Sequence, residues 1–133
     1  MLGEQIGQET GKVVVRRVLA TDGNPKVEVT AQSTGKIAGI EERSMVTYAA
    51  EIRPDGSLYG DAQGIVIAKN GETATFKAQG VGKLLGDGGV SYRGAIYYYS
   101  SGQKLSRLNS VACVFEYDAD GEGNSSAKTW EWR

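Results

Sequence analysis

The 133-residue sequence contains no histidine, one cysteine and two prolines, and each shortage closes off some chemistry. Without histidine there is no Ser-His or Cys-His catalytic pair, and most zinc sites are excluded. Cys113 has no internal disulfide partner, which points to a reducing compartment, so the cytoplasm is the expected location. No run approaches the roughly 18 apolar residues of a membrane helix, and the opening MLGEQIGQETGK lacks the apolar core of a secretory signal. No membrane partner is expected. Positive charge is also short, with 15 Lys plus Arg against 16 Asp plus Glu. The basic footprint of a nucleic-acid binder is therefore missing, and no nucleic acid is expected. At 40% hydrophobic and 23% charged residues, the chain has the balance of an ordinary folded protein, and residues 1–133 are read as one domain.

Glycine, by contrast, is abundant at 19 residues, and it is spread through strand-like segments instead of forming a linker. Glycine inside a strand marks a bulge, a sharp bend or a close backbone approach. Turn signals at Pro54–Ser57, Lys69–Glu72 and Gly86–Gly89 separate strand-length runs. Asn70-Gly71 suggests a two-residue type I′ hairpin, which needs φ > 0 at both central residues. The chain reverses too often to leave room for a crossover helix. Strands are expected at Lys12–Leu19, Lys26 to about Ile40, Met45–Arg53, Leu58–Ala68, Thr73–Leu84, Val90–Ser100, Ser110–Tyr117 and Thr129–Arg133, with one helical turn or long loop at Gln103–Asn109. Eight strands, an even number, predict an all-β fold, an antiparallel up-and-down β-barrel.

The segments GSLYGDAQG (56–64), FKAQGVGKLLG (76–86) and GVSYRG (89–94) resemble the middle of the allene oxide cyclase barrel, a superfamily that includes the dirigent proteins. The likeness covers roughly residues 45–100. It implies an eight-stranded antiparallel barrel, often a homo-oligomer, whose lumen takes an apolar small molecule. Some relatives of this kind cyclise a reactive intermediate; others have no known reaction.

Such chemistry needs orientation and exclusion of water more than acid–base machinery, so the lack of histidine is compatible with it. Tyr48, Phe76, Tyr92, Phe115 and Trp130 are the candidate walls of a pocket, and Tyr48 is the candidate polar group that orients a ligand. Small residues at Ala62–Val66 and Ala74–Gly82, Ala78 among them, suggest space on two adjacent strands. The competing expectation is a structural or interaction protein whose barrel is filled by its own side chains. Alternation places Glu51, Glu116 and Glu131 outside, if the apolar faces point in. Arg93 lies on a strand with two partly apolar faces. Tyr97 and Tyr99 compete with Tyr92, Ile96 and Tyr98 for one lumen, and Val14 and Val18 oppose Val13, Val15 and Leu19; faces like these call for cover, so a homodimer or homotrimer is expected. Asp118–Asn124 partly fits a calcium loop, but Thr129 stands where a bidentate glutamate belongs, so the segment reads as a solvated hairpin. No metal or cofactor is expected.

Overall fold

Eight antiparallel strands follow one another around a closed barrel in a computed structural model that describes residues 1–133. They are β1 (Leu2–Ala20), β2 (Lys26–Ile37), β3 (Ile40–Ile52), β4 (Ser57–Ala68), β5 (Thr73–Leu84), β6 (Val90–Tyr99), β7 (Cys113–Ala119) and β8 (Asn124–Trp132), with a 3₁₀ turn at Leu105–Leu108. Each strand pairs with the next, and β8 pairs with β1 to remove the last edge. No helix is long and apolar enough to cross a membrane.

The expected strand count and barrel class hold, while several boundaries move. β1 begins ten residues before Lys12, because Leu2–Lys12 pairs with β8 while Gly7–Ala20 pairs with β2. Gly3, Gly7 and Gly11 among polar residues hide that strand from any apolar count. β8 likewise starts at Asn124, not Thr129. What was expected as one strand to Ile40 is a reversal: Ala38 and Gly39 have φ of 49° and 80°, the two-residue hairpin with both central residues left-handed. Asn70-Gly71 is different. Gly71 alone has positive φ there, at 90°, and Lys69-Asn70-Gly71 forms a three-residue loop closed by the Gly71 N–H donating to Ala68 O. The loops ending in Gly56, Gly88 and Gly123 repeat that form. Within Asp118–Asn124, the Asp120 carboxylate accepts from the backbone N–H groups of Glu122 and Asn124, each at 2.9 Å, so it closes a turn.

The interior is built by rings set over glycines one or two strands away. A Cβ at Gly60 would stand 3.2 Å from the Tyr92 ring, at Gly82 2.8 Å from the same ring, and at Gly80 3.0 Å from Phe115. At Gly64 it would collide with Phe76. The small residues of β4 and β5 thus do not leave the space they suggested; aromatic rings occupy much of it. One end of the barrel is plugged by Leu105 and Leu108, which are 0% and 1% exposed. The Glu72 carboxylate accepts from the backbone N–H groups of Lys104 and Leu105 at 3.1 and 2.9 Å and fixes that plug over the β4–β5 hairpin.

Gly64→Ala should destabilise the barrel by about 1–3 kcal/mol through overpacking. In a Phe76→Leu background the same change should cost measurably less, by at least about 0.5 kcal/mol, since the ring it meets is gone. Denaturant titrations of the four proteins measure this coupling.

Candidate functional site

Strand alternation divides the side chains between lumen and exterior, and β1 departs from simple alternation. Its register against β2 shifts between Val13 and Val15, so Val14 is an extra, bulged residue. Val13 stands opposite the inward Ala31 and Arg16 opposite the buried Val29. Without the bulge, Arg16 would face outward. With it, the Arg16 guanidinium turns to the barrel mouth, where its charge acts on the hydroxyls of Tyr48 and Tyr117. It makes no ion pair, whereas the neighbouring Arg17 on the outer face holds Glu28 at 2.9 Å.

Three tyrosines cross the middle of the lumen. Tyr48 (β3), Tyr92 (β6) and Tyr117 (β7) stack edge-on or tilted, with ring centroids 5.6, 5.8 and 6.4 Å apart. The hydroxyls of Tyr92 and Tyr117 are buried without any hydrogen-bond partner. Burial pushes the Tyr92 phenol up to about 12 and raises those of Tyr48 and Tyr117 as well, so all three remain donors at neutral pH.

The trio separates two chambers. Toward the mouth lies a cup of about 350 Å³, lined by Val13, Val27, Ala50, Ile52, Leu58 and Val90 and rimmed by Arg16, with Tyr48 and Tyr92 as its floor. Ligand pockets begin at about this size. Toward the plugged end is a chamber of about 90 Å³, with Phe76, Ala78, Ile96, Tyr98 and Phe115 on its wall. That space is much smaller than the apolar small molecule expected for the lumen needs.

Two glutamates also face the inner chamber. Glu42 (β3) is 7% exposed, and neither of its carboxyl oxygens receives a hydrogen bond. Burial first, and then the neighbouring Glu9 carboxylate, push its carboxyl up to about 9. At neutral pH it is a neutral acid beside Glu9, whose carboxylate accepts from the Ser44 hydroxyl. The pair can donate or take up a proton inside an apolar wall.

Of the expected pocket residues, Tyr48, Phe76, Ala78, Tyr92 and Phe115 all line the lumen. Trp130 does not. On β8 the inward set is Ser125, Ala127, Thr129 and Glu131, which leaves Trp130 and the 61%-exposed Trp132 outside. Glu131, expected outside, is 6% exposed at the plugged end, paired with Arg107 at 2.8 Å and held below the usual carboxylate range by that arginine. Both errors come from reading two tryptophans as a core signal. Arg93 is outside, between Glu116 and Asp118. Sequence reasoning missed Arg16, Glu9 and Glu42. Glu42 was within reach: it shares the parity of Val46, Tyr48 and Ala50, and starting that strand at Ile40 exposes it.

No protein-family model and no curated protein matches the sequence. Solved structures do match in fold. A protein of unknown function from Clostridium acetobutylicum superposes with a TM-score of 0.85 at 12% identity, covering 98% of this chain and 99% of its own. A β-barrel-like protein from Acinetobacter baumannii gives 0.83 at 12% identity, covering 100% and 96%. An enzyme from Penicillium herquei gives 0.69 at 13% identity, covering 96% and 92%. At these identities the likeness is one of fold.

The Glu42 carboxyl ionises near the ordinary 4.5 when unfolded and near 9 when folded. Its contribution is therefore fully present below about pH 4.5 and is lost as pH rises toward 9. The slope cannot exceed about 1.4 kcal/mol per pH unit for one proton. Glu42→Gln should flatten the decline in Tm between pH 5 and 9 and should be the more stable protein at pH 9. Thermal melts across that range test it.

Proposed function

We propose that this barrel binds a small, largely apolar molecule in the open half of its lumen, with a polar atom of the ligand on the tyrosine floor. The carrying observation is an apolar cup of about 350 Å³ with Tyr48 and Tyr92 on its floor, together with a buried Tyr92 hydroxyl that has no partner in the protein. An orphaned buried donor costs about 1–3 kcal/mol, which a ligand oxygen would recover. Burial of the ligand's apolar body supplies most of the affinity, at about 25 cal/mol per Å². Arg16 adds a positive rim that favours an acidic or electron-rich substituent. Where chemistry follows binding, it is isomerisation or cyclisation of a ligand held folded and dry, as the resemblance to the allene oxide cyclase barrel suggests. The free, buried Cys113 supports a cytoplasmic setting.

A filled, ligand-free barrel acting as a structural or interaction protein is the competing reading. The rings over Gly60, Gly64, Gly80 and Gly82 favour it for the plugged half. They do not fill the cup.

The wild-type protein should take up a neutral, environment-sensitive apolar dye with a blue-shifted, enhanced emission. Ala50→Trp, which fills the cup from β3, should weaken uptake more than tenfold while circular dichroism stays unchanged. Tyr92→Phe should weaken a carbonyl-bearing ligand about fivefold, the loss of one hydrogen bond of about 1 kcal/mol, and leave a pure hydrocarbon unaffected. No uptake by the parent protein would leave the filled barrel as the better account.

For assembly we infer a homodimer or homotrimer. Ile65, Ile67, Val81, Tyr97 and Tyr99 lie exposed on the outer faces of β4, β5 and β6, an apolar surface that association would cover. Light scattering at micromolar concentration should give two or three times 14.2 kDa, and Tyr97→Lys with Tyr99→Lys should reduce it to the monomer. A monomeric parent refutes the assembly.

A further inference from the structure

Glu9 and Glu42 come together for a reason visible in the sheet register. Glu9 on β1 stands opposite Gly35 on β2, and Gly35 stands opposite Glu42 on β3, so one row across three strands reads Glu-Gly-Glu. A Cβ at position 35 would collide with the backbone of Gln8 and Glu9. Only glycine fits there, so no side chain separates the two glutamates, and Glu9 is near enough to act on the Glu42 carboxyl. Glu42 is 7% exposed and has no hydrogen-bond donor on either oxygen. Ser44 donates to Glu9 and orients it.

The charge of this pair is not matched by the protein. Lys36, the cation on the chamber wall, is exposed and bonds to neither carboxylate. Arg16 lines the other chamber. The remaining titratable groups on the wall, Tyr48, Tyr92, Tyr98 and Tyr117, are held protonated by burial and carry no charge. Two carboxylates in contact cannot both ionise, so a shared proton neutralises one of them. A cation from solution can take that proton's place.

The surroundings select the kind of cation. No third histidine, cysteine, aspartate or glutamate joins the pair to make a metal-ligand cluster, and a hard divalent ion demands six or more oxygens. The opposite wall is instead aromatic: Phe76 and Tyr98 stand with centroids 5.7 Å apart. Carboxylates on one side and aromatic rings on the other are the recognition elements of an ammonium or guanidinium group with a short apolar body. The volume, about 90 Å³, sets its size, since a cavity of about 150 Å³ holds the six carbons of benzene.

We propose that the Glu9–Glu42 pair, with Phe76 and Tyr98, forms a binding site for a small organic cation, an alkylammonium or guanidinium of roughly four heavy atoms. Binding exchanges one cation for one proton: the ammonium N–H groups donate to both carboxylates, and the proton shared by Glu9 and Glu42 leaves to solvent. The site is separate from the cup, and its fate is independent of ligand binding there.

Isothermal titration of the full chain with n-propylammonium chloride, at pH 7.5 in two buffers of different ionisation enthalpy, counts both events. The expected result is saturable binding with release of close to one proton, and affinity rising up to about tenfold per pH unit between pH 6 and 8. Glu42→Gln should weaken it at least tenfold. Glu9→Gln should do the same, and it carries the test if Glu42→Gln does not fold. Dye uptake in the cup should persist in both variants. Three results would overturn the proposal: no propylammonium binding at millimolar concentration, equal binding of 1-propanol, or competition by potassium as effective as by methylammonium. Loss of dye uptake alone would count against the cup reading and leave this one standing.

Discussion

The barrel depends on aromatic rings being set against glycines. Phe76, Tyr92 and Phe115 each lie over residues with no side chain, one or two strands away: Gly64, Gly60 with Gly82, and Gly80. A small barrel encloses more volume than average side chains fill, and it must also curve tightly to close. Ring over glycine meets both demands at one place. The ring supplies the volume, and the missing Cβ lets the backbone bend toward it. The same pairing sets where space is left. Between the rings and the Leu105–Leu108 plug only about 90 Å³ remains, while beyond the tyrosine trio no ring reaches, and the cup opens.

A second constraint acts on one strand. Eight strands of strict alternation would line the mouth with apolar groups and place both arginines of β1 by parity, Arg17 in and Arg16 out. The extra residue at Val14 reverses the parity up to a second register shift between Val18 and Ala20. Arg17 then meets Glu28 at the surface, and Arg16 faces the tyrosines. A single inserted residue thus decides which of the two arginines enters the mouth and which pairs at the surface, with no change in strand count or order.

Much of this was legible in the sequence because it is local. Turn residues and alternation located eight strands and the 3₁₀ turn, and five of the six expected lumen residues face inward. What escaped depends on partners distant in the chain. The first half of β1 is polar and glycine-rich, and only its pairing with β8 identifies it as strand. Trp130 and Trp132 followed the rule that large apolar residues go inside. At the plugged end the inward face of β8 is instead polar, because Arg107 is there to satisfy Glu131. The bulge at Val14 leaves no mark in three consecutive valines. Glu42 was hidden by convention more than by physics, since charged residues are usually assigned to solvent before their strand parity is checked.

The connection of β1 to β8 has a consequence for how the molecule acquires its structure. Seven of the eight strand pairings join neighbours in sequence, six of them across turns of a few residues, and each of those hairpins can form early, within its own short stretch of chain. The eighth joins Leu2–Lys12 to Asn124–Trp132, nearly the whole chain apart. Its loop-closure entropy is the largest in the molecule and must be met before any of its contacts can form. Until then two strand edges stand open, one of them carrying the exposed Leu2 and the other Trp132. The open sheet is consequently the species in which chains meet one another, and the polar, glycine-rich character of early β1 protects it: a segment that pairs weakly with strangers waits for the one partner whose register it matches.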